Sequence, residues 1–346
     1  MESPDIGALA SLFVAAFVFF KCLIDQQGTA FNRIVSSASR VAVVAVFAGF
    51  IALQAVIGVW TTAISNVAGM AQDSGSKEAS WDRATQWSLP KVETLGLFVP
   101  GLFGFKMDTP ADMPQALTNA YQGGVYWGGM GRDPANDRFL ESHAKGSVPD
   151  PEWMRQTGNG NYCGIIVALI AVWTIAQFFR RQNSSFSATQ QKFIWFWTAV
   201  LIISLLLAWG RFAPFYALLY KLPYFSTIRN PTKFLIFFDW ALIILFAYGV
   251  NALGRNHLDP AAKPAALRDL WKNVSSFDRK WIFSCGAFFG VSLLAWVIYA
   301  AHKPGLVKYL QKVGFADEGM AAQIASFSIG QAGWFIILLA IAILLT

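Results

Sequence analysis

The chain has 346 residues, 55% hydrophobic and only 14% charged, with a formal net charge of +7. Soluble domains carry about 25% charged residues, and here the charges fall between apolar runs of about twenty residues, so a water-soluble globular fold is excluded. The basic residues sit in short connections beside those runs, where they orient membrane helices; with no aromatic–basic strand pattern and no zinc spacing, no nucleic-acid partner is implied.

In chain order, the apolar runs cover residues 6–24, 39–60, 162–179, 193–210, 232–251, 281–300 and 325–345. Each is long enough to cross a hydrocarbon core of about 30 Å at 1.5 Å per residue. The predicted class is therefore an all-α integral membrane protein, a single polytopic domain over 1–346 with about seven transmembrane helices. The first run follows Met1-Glu2-Ser3-Pro4-Asp5. A signal peptide starts with a positive region and ends in a small-residue cleavage site, so this run reads as a retained helix.

Lys21, Arg33 and Arg40 flank the first connection, and Arg180, Arg181 and Lys192 the connection 180–192. The connection 252–280 carries Arg255, Lys263, Arg268, Lys272, Arg279 and Lys280. These three alternate correctly for cytoplasmic loops, which places the N-terminus outside and the C-terminus in the cytoplasm.

Segment 61–161 then forms a large extracytoplasmic loop. Within it, Pro90 and Pro100-Gly101 bracket a short helix over 91–99, its apolar half on the membrane surface. Asp82 and Glu93 are its general-base candidates, set among Trp81, Trp87 and Tyr126-Trp127-Gly128-Gly129, with Arg132-Asp133 beyond. Carboxylates and aromatic faces suit sugar binding; they equally suit any ordered loop near headgroups.

Segment 211–231 is dense in aromatic residues, and its Pro214, Lys221 and Pro223 exclude a clean span. It reads as an outer interfacial or re-entrant segment, able with the long loop to roof a cavity. Asn230 and Pro231 then open the fifth span as N-cap and first helical residue. Free N–H groups there, with Arg229, Lys233 and Arg211 nearby, make an anion site suited to a lipid phosphate. The plain alternative is cations snorkelling to ordinary phospholipid.

Asp239 lies deeper in that span, where a carboxylate needs a partner inside the bundle or a cavity. A structural hydrogen bond, an ion pair to Arg211 and a substrate contact all satisfy that need. Gly286 and Gly290 permit close helix approach in the sixth span. Cys22, Cys163 and Cys285 are far apart in sequence, and His143, His257 and His302 lie in separate segments. No metal motif, P-loop or nucleophile elbow is present, and no cofactor can be named.

Two stretches carry a resemblance. Trp87-Ser88-Leu89-Pro90 with Glu93, Leu102-Phe103-Gly104 and Tyr126-Trp127-Gly128 is the first. The second is Leu222-Pro223-Tyr224-Phe225-Ser226-Thr227-Ile228-Arg229-Asn230-Pro231-Thr232-Lys233-Phe234. Over roughly residues 40–255 the chain resembles the YfhO-like family of bacterial multi-pass membrane proteins, which look like GT-C type glycosyltransferases. The resemblance implies transfer of a sugar from a polyprenyl-phosphate lipid to an extracytoplasmic acceptor, at a bacterial cytoplasmic membrane. It also implies that the family's N-terminal catalytic region is missing here, to be supplied by upstream sequence or a partner subunit. The competing expectations are a non-catalytic membrane subunit and a transporter or lipid-binding protein.

Overall fold

The computed structural model describes residues 4–25, 28–59, 74–106, 122–131, 162–180, 184–222, 225, 228–257 and 275–345. Much of the predicted loops 61–161 and 252–280, with Arg132 and Asp133, lies outside the described residues. Among the described residues the structure is helical and holds no strand. Its helices are α1 (Pro4–Asp25), α2 (Ala30–Val59), α3 (Ser74–Thr85), α4 (Ile165–Phe178), α5 (Ala188–Ala208), α6 (Pro214–Tyr220), α7 (Leu235–His257), α8 (Ser276–Ala301), α9 (Lys303–Lys312) and α10 (Glu318–Leu345). Six helical segments are long and apolar enough to cross a membrane: Ile6–Ile24, Ala30–Phe47, Ala188–Ala208, Pro231–Arg255, Ser276–Ala301 and Glu318–Leu345. The apolar α4 is shorter. The chain is thus an all-α protein with the helices of a membrane-embedded one.

The chain divides into two compact units, Met1–Trp81 and Asp82–Thr346. In the first, α1 and α2 pack as a hairpin, turned at Gly28 with φ 126°. Thr29 Oγ1 accepts the Asn32 N–H at 3.4 Å, and Arg33 Nε donates to the Gly28 carbonyl at 3.0 Å.

In the second unit α7 packs between α4 and α5, while α10 lies against α4 and α8. Lipid is as apolar as leucine, so helices associate in it through close packing around small residues. Gly249 supplies that contact: a Cβ there would run into Thr174 Oγ1 and lie 2.5 Å from Ile170 Cγ2. Ala171 in α4 and Ala241, Leu245 and Ala252 in α7 are fully buried. Gly286 and Gly290 behave oppositely, since a Cβ on either meets nothing within 4 Å among the described residues. The close approach their spacing permits is not used there.

Local chemistry sets the helix starts. Ser187 and Gln190 form a reciprocal capping box at α5, so the end of the polar run 180–192, from Ala188 on, begins a helix. Ser275 caps α8 through the Asp278 N–H. α10 has 28 residues, about 42 Å at 1.5 Å per residue, longer than a hydrocarbon core of about 30 Å. Its N-terminal part extends beyond the apolar run read from sequence. There α9, absent from the sequence reading, folds back on it around Leu310, Phe315, Met320, Ala321 and Ile324.

A capping layer over one end of the bundle

Residues 84–131, as far as they are described, form a layer across the helix ends at one side of the second unit. Backbone hydrogen bonds fasten it: Leu89 N–H to the Ala208 carbonyl (2.9 Å), Asn230 N–H to Ala84 (2.9 Å), Thr232 N–H to Trp87 (3.2 Å) and Cys163 N–H to Leu97 (2.8 Å). Three side-chain contacts add to these. Trp209 Nε1 donates to Thr94 Oγ1 at 2.9 Å, Trp127 Nε1 donates to Ser328 Oγ at 2.9 Å, and Trp127 stacks edge-on to Tyr309. The helix expected over 91–99 is a 3-10 turn, Lys91–Leu97. The layer closes on itself where residues 103–106 lie beside 124–127. Phe105 N–H donates to the Gly124 carbonyl and Trp127 N–H to Phe103. Gly104 is obligatory there, with φ 78° and a Cβ position occupied by the Val125 carbonyl.

Candidate functional site

Glu93 is the buried acid of this layer, 6% exposed. Tyr126 Oη donates to its Oε2 at 2.5 Å and the Gly129 N–H to its Oε1 at 2.5 Å. Tyr126 Oη in turn accepts the Met130 N–H at 2.9 Å. Gly128 lets the chain wrap this closely, because a Cβ there would lie 2.6 Å from Glu93 Oε2. Hydrogen bonds accepted by a buried carboxylate are the strong kind, so Glu93 fixes the 126–130 turn as that turn fixes Glu93.

A cavity of about 260 Å³ opens beside the carboxylate. Leu89, Leu97, Phe103, Met130 and Leu235 give it apolar walls, while Glu93, Tyr126, Tyr162 and Gln331 bring polar groups. Its lining comes from the layer, Tyr162 before α4, the start of α7 and the middle of α10. Segment 211–231, expected with the long loop to roof a cavity, contributes no lining residue among the described residues.

The other sequence candidates fall as follows. Asp82 sits in the last turn of α3, half-buried, and is not part of the cavity lining. The Arg211 N–H donates to Ser88 Oγ at 3.1 Å, and Ser88 Oγ donates to the Thr85 carbonyl at 2.6 Å. Gly210, with φ 48°, lies against Pro231: a Cβ on it would be 2.8 Å from Pro231 Cγ. The turn bearing Arg211 therefore abuts the turn bearing Arg229 and Lys233. Asn230 between them is left-handed, φ 64°, and makes no side-chain cap hydrogen bond, and a 3-10 turn, Pro231–Phe234, precedes α7. The expected N-cap is thus a backbone turn pinned to Ala84 and Trp87.

Arg229 is exposed and lies near Tyr220, whose hydroxyl burial pushes up while the guanidinium pulls it partly back. Segment 211–231, where described, holds the 3-10 turn Gly210–Phe212 and α6, anchored by the Tyr216 hydroxyl donating to the Ile228 carbonyl at 2.7 Å. Residues 223, 224, 226 and 227 lie outside the described set.

Asp239 has Cys163 as its partner, the thiol donating to Oδ1 at 3.2 Å. This pair was beyond sequence reasoning, as were Tyr162 and the seating of the layer on α10. Compared with protein-family models, with curated proteins and with solved structures, the chain matches none.

Proposed function

We propose that this chain is a membrane protein related to glycosyltransferases, binding a polyprenyl-phosphate sugar at the capped end of its bundle. The abutment of two cationic turns carries this reading: Arg211 stands beside the turn of Arg229 and Lys233, where a spanning helix begins. Three cations at the headgroup level of a bilayer suit the phosphodiester of such a donor and, better still, the more highly charged phosphate monoester it leaves behind. In the transfer, an acceptor hydroxyl oxygen bonds to the sugar C1 while the bond from C1 to the phosphate oxygen breaks. The hydroxyl proton passes to Glu93, and polyprenyl phosphate leaves with the electron pair, its charge met by the cations. The reading places the protein in a bacterial cytoplasmic membrane, N-terminus outward and C-terminus in the cytoplasm. It also allows for a partner subunit or upstream region that completes the catalytic machinery.

A second reading is favoured by one observation: both Glu93 oxygens already receive donors from the protein itself. On that reading Glu93 is structural and the protein is a non-catalytic subunit that holds the lipid. One experiment separates the two. The chain in nanodiscs is loaded with decaprenyl phosphate and retention is measured by native mass spectrometry; transfer is then assayed with a radiolabelled decaprenyl-phosphate sugar. Retention reduced at least tenfold in Arg211→Ala/Arg229→Ala/Lys233→Ala supports the lipid site, and equal retention by that variant and the wild type removes it. Turnover by the wild-type chain supports the transferase; retention without turnover supports the subunit.

A further inference from the structure

The cavity beside Glu93 carries unspent hydrogen-bonding capacity. Tyr162 Oη accepts the Ile165 N–H at 3.1 Å, and its own proton meets no acceptor among the described residues. The Gln331 amide, on α10, likewise makes no hydrogen bond among the described residues. Its stem lies against Gly101, where a Cβ would sit 3.3 Å from Gln331 Cγ. A donor and a donor–acceptor amide thus line, beside the Glu93 carboxylate, one space whose other walls are apolar and aromatic.

We infer that this cavity binds one neutral, hydroxylated ring, with Tyr162 and Gln331 as its specificity-determining groups. Identifying that ring with the sugar of a lipid donor rests on the function proposed above; the chemistry of the cavity does not. An acyl chain would set the Tyr162 hydroxyl and the Gln331 amide against hydrocarbon, each at a cost. An anion would face the Glu93 carboxylate with no Lys or Arg among the lining residues. A hydroxylated ring presents donors and acceptors on its edge and C–H faces to aromatic walls. About 260 Å³ lies just below the ~300–1,000 Å³ typical of ligand pockets, which suits a single ring and excludes an oligosaccharide.

The test is saturation-transfer NMR on the whole chain in nanodiscs, with glucose, galactose, mannose, N-acetylglucosamine, glucosamine and glucose 6-phosphate as probes. The expected result is saturation of at least one neutral sugar, weakened about three- to tenfold by Tyr162→Phe and by Gln331→Leu. Gly96→Ala is the variant least able to disturb folding, since its new Cβ would lie 3.4 Å from Phe103, an ordinary contact. It adds a methyl to the cavity wall and should weaken binding too. No neutral sugar bound, binding confined to the amine or phosphate probe, or all three variants binding as wild type would each overturn the inference. Decaprenyl-phosphate retention is measured on the same wild-type preparation. Sugar binding without lipid retention leaves the cavity inference standing and removes the donor reading; retention without sugar binding does the reverse.

Discussion

Ser88 Oγ occupies the place that a side chain on Gly210 would need. The two residues are 122 positions apart in sequence, yet a Cβ on Gly210 would run into Ser88 Oγ and lie 2.7 Å from Ser88 Cβ. The same oxygen takes the Arg211 N–H and donates to Thr85. One hydroxyl thereby joins the capping layer, the end of α5 and, through Pro231, the start of α7.

Gly210→Ala should destabilise the protein by about 2–4 kcal/mol, from left-handed strain plus overpacking. Ser88→Ala should cost about 1–2 kcal/mol through the unpaired Arg211 N–H. Ser88→Gly combined with Gly210→Ala frees space for the new methyl, so the pair should cost at least about 1 kcal/mol less than the sum. Unfolding by SDS titration in mixed micelles reads all four; strict additivity would show that the contact is absent.

Tyr126→Phe removes a donor to Glu93 and the acceptor of the Met130 N–H together. A loss of about 2 kcal/mol is expected. Glu93→Gln keeps the shape but turns an NH2 toward a group that itself donates, with a loss of about 1–3 kcal/mol. Limited proteolysis should then cut within 122–131 faster in both variants. An unchanged cleavage rate would mean that Glu93 does not hold this turn.

The two kinds of glycine should part company. Gly249→Ala places a methyl onto Thr174 and Ile170 in the α4–α7 seam and should cost about 1–3 kcal/mol. Gly286→Ala meets open space and should stay within about 0.5 kcal/mol of wild type. Thermal aggregation midpoints in detergent suffice for the comparison, and equal losses for the two variants would contradict the packing described here.

The Cys163 thiol is half-buried and donates to Asp239 Oδ1. Iodoacetamide should alkylate Cys163 more slowly in the folded protein than in SDS. Asp239→Asn removes the carboxylate and should speed the reaction at fixed pH. Mass spectrometry of the 162–180 peptide measures both, and an Asp239→Asn rate equal to wild type would exclude the pair.

Membrane class and the places of most spans were legible in the sequence alone, because hydropathy is summed over neighbours in the chain and lipid demands about twenty apolar residues wherever a helix crosses. Glu93 and the turn residues Tyr126 and Gly128 were also visible, as an acid and a glycine-rich aromatic stretch, though nothing local tied one to the other. α9 was hidden because its apolar face is short and its partner, α10, lies across a turn. The fate of the glycines was equally hidden: Gly249 sits against another helix while Gly286 and Gly290 meet nothing among the described residues, and their spacing is blind to which way a helix turns. The seating of Ser88 on Gly210, the meeting of Cys163 with Asp239 and the polar lining shared by Tyr162 and Gln331 were decided by tertiary structure. Each joins residues far apart in the chain, and only the packing of the helices under the capping layer brings them together.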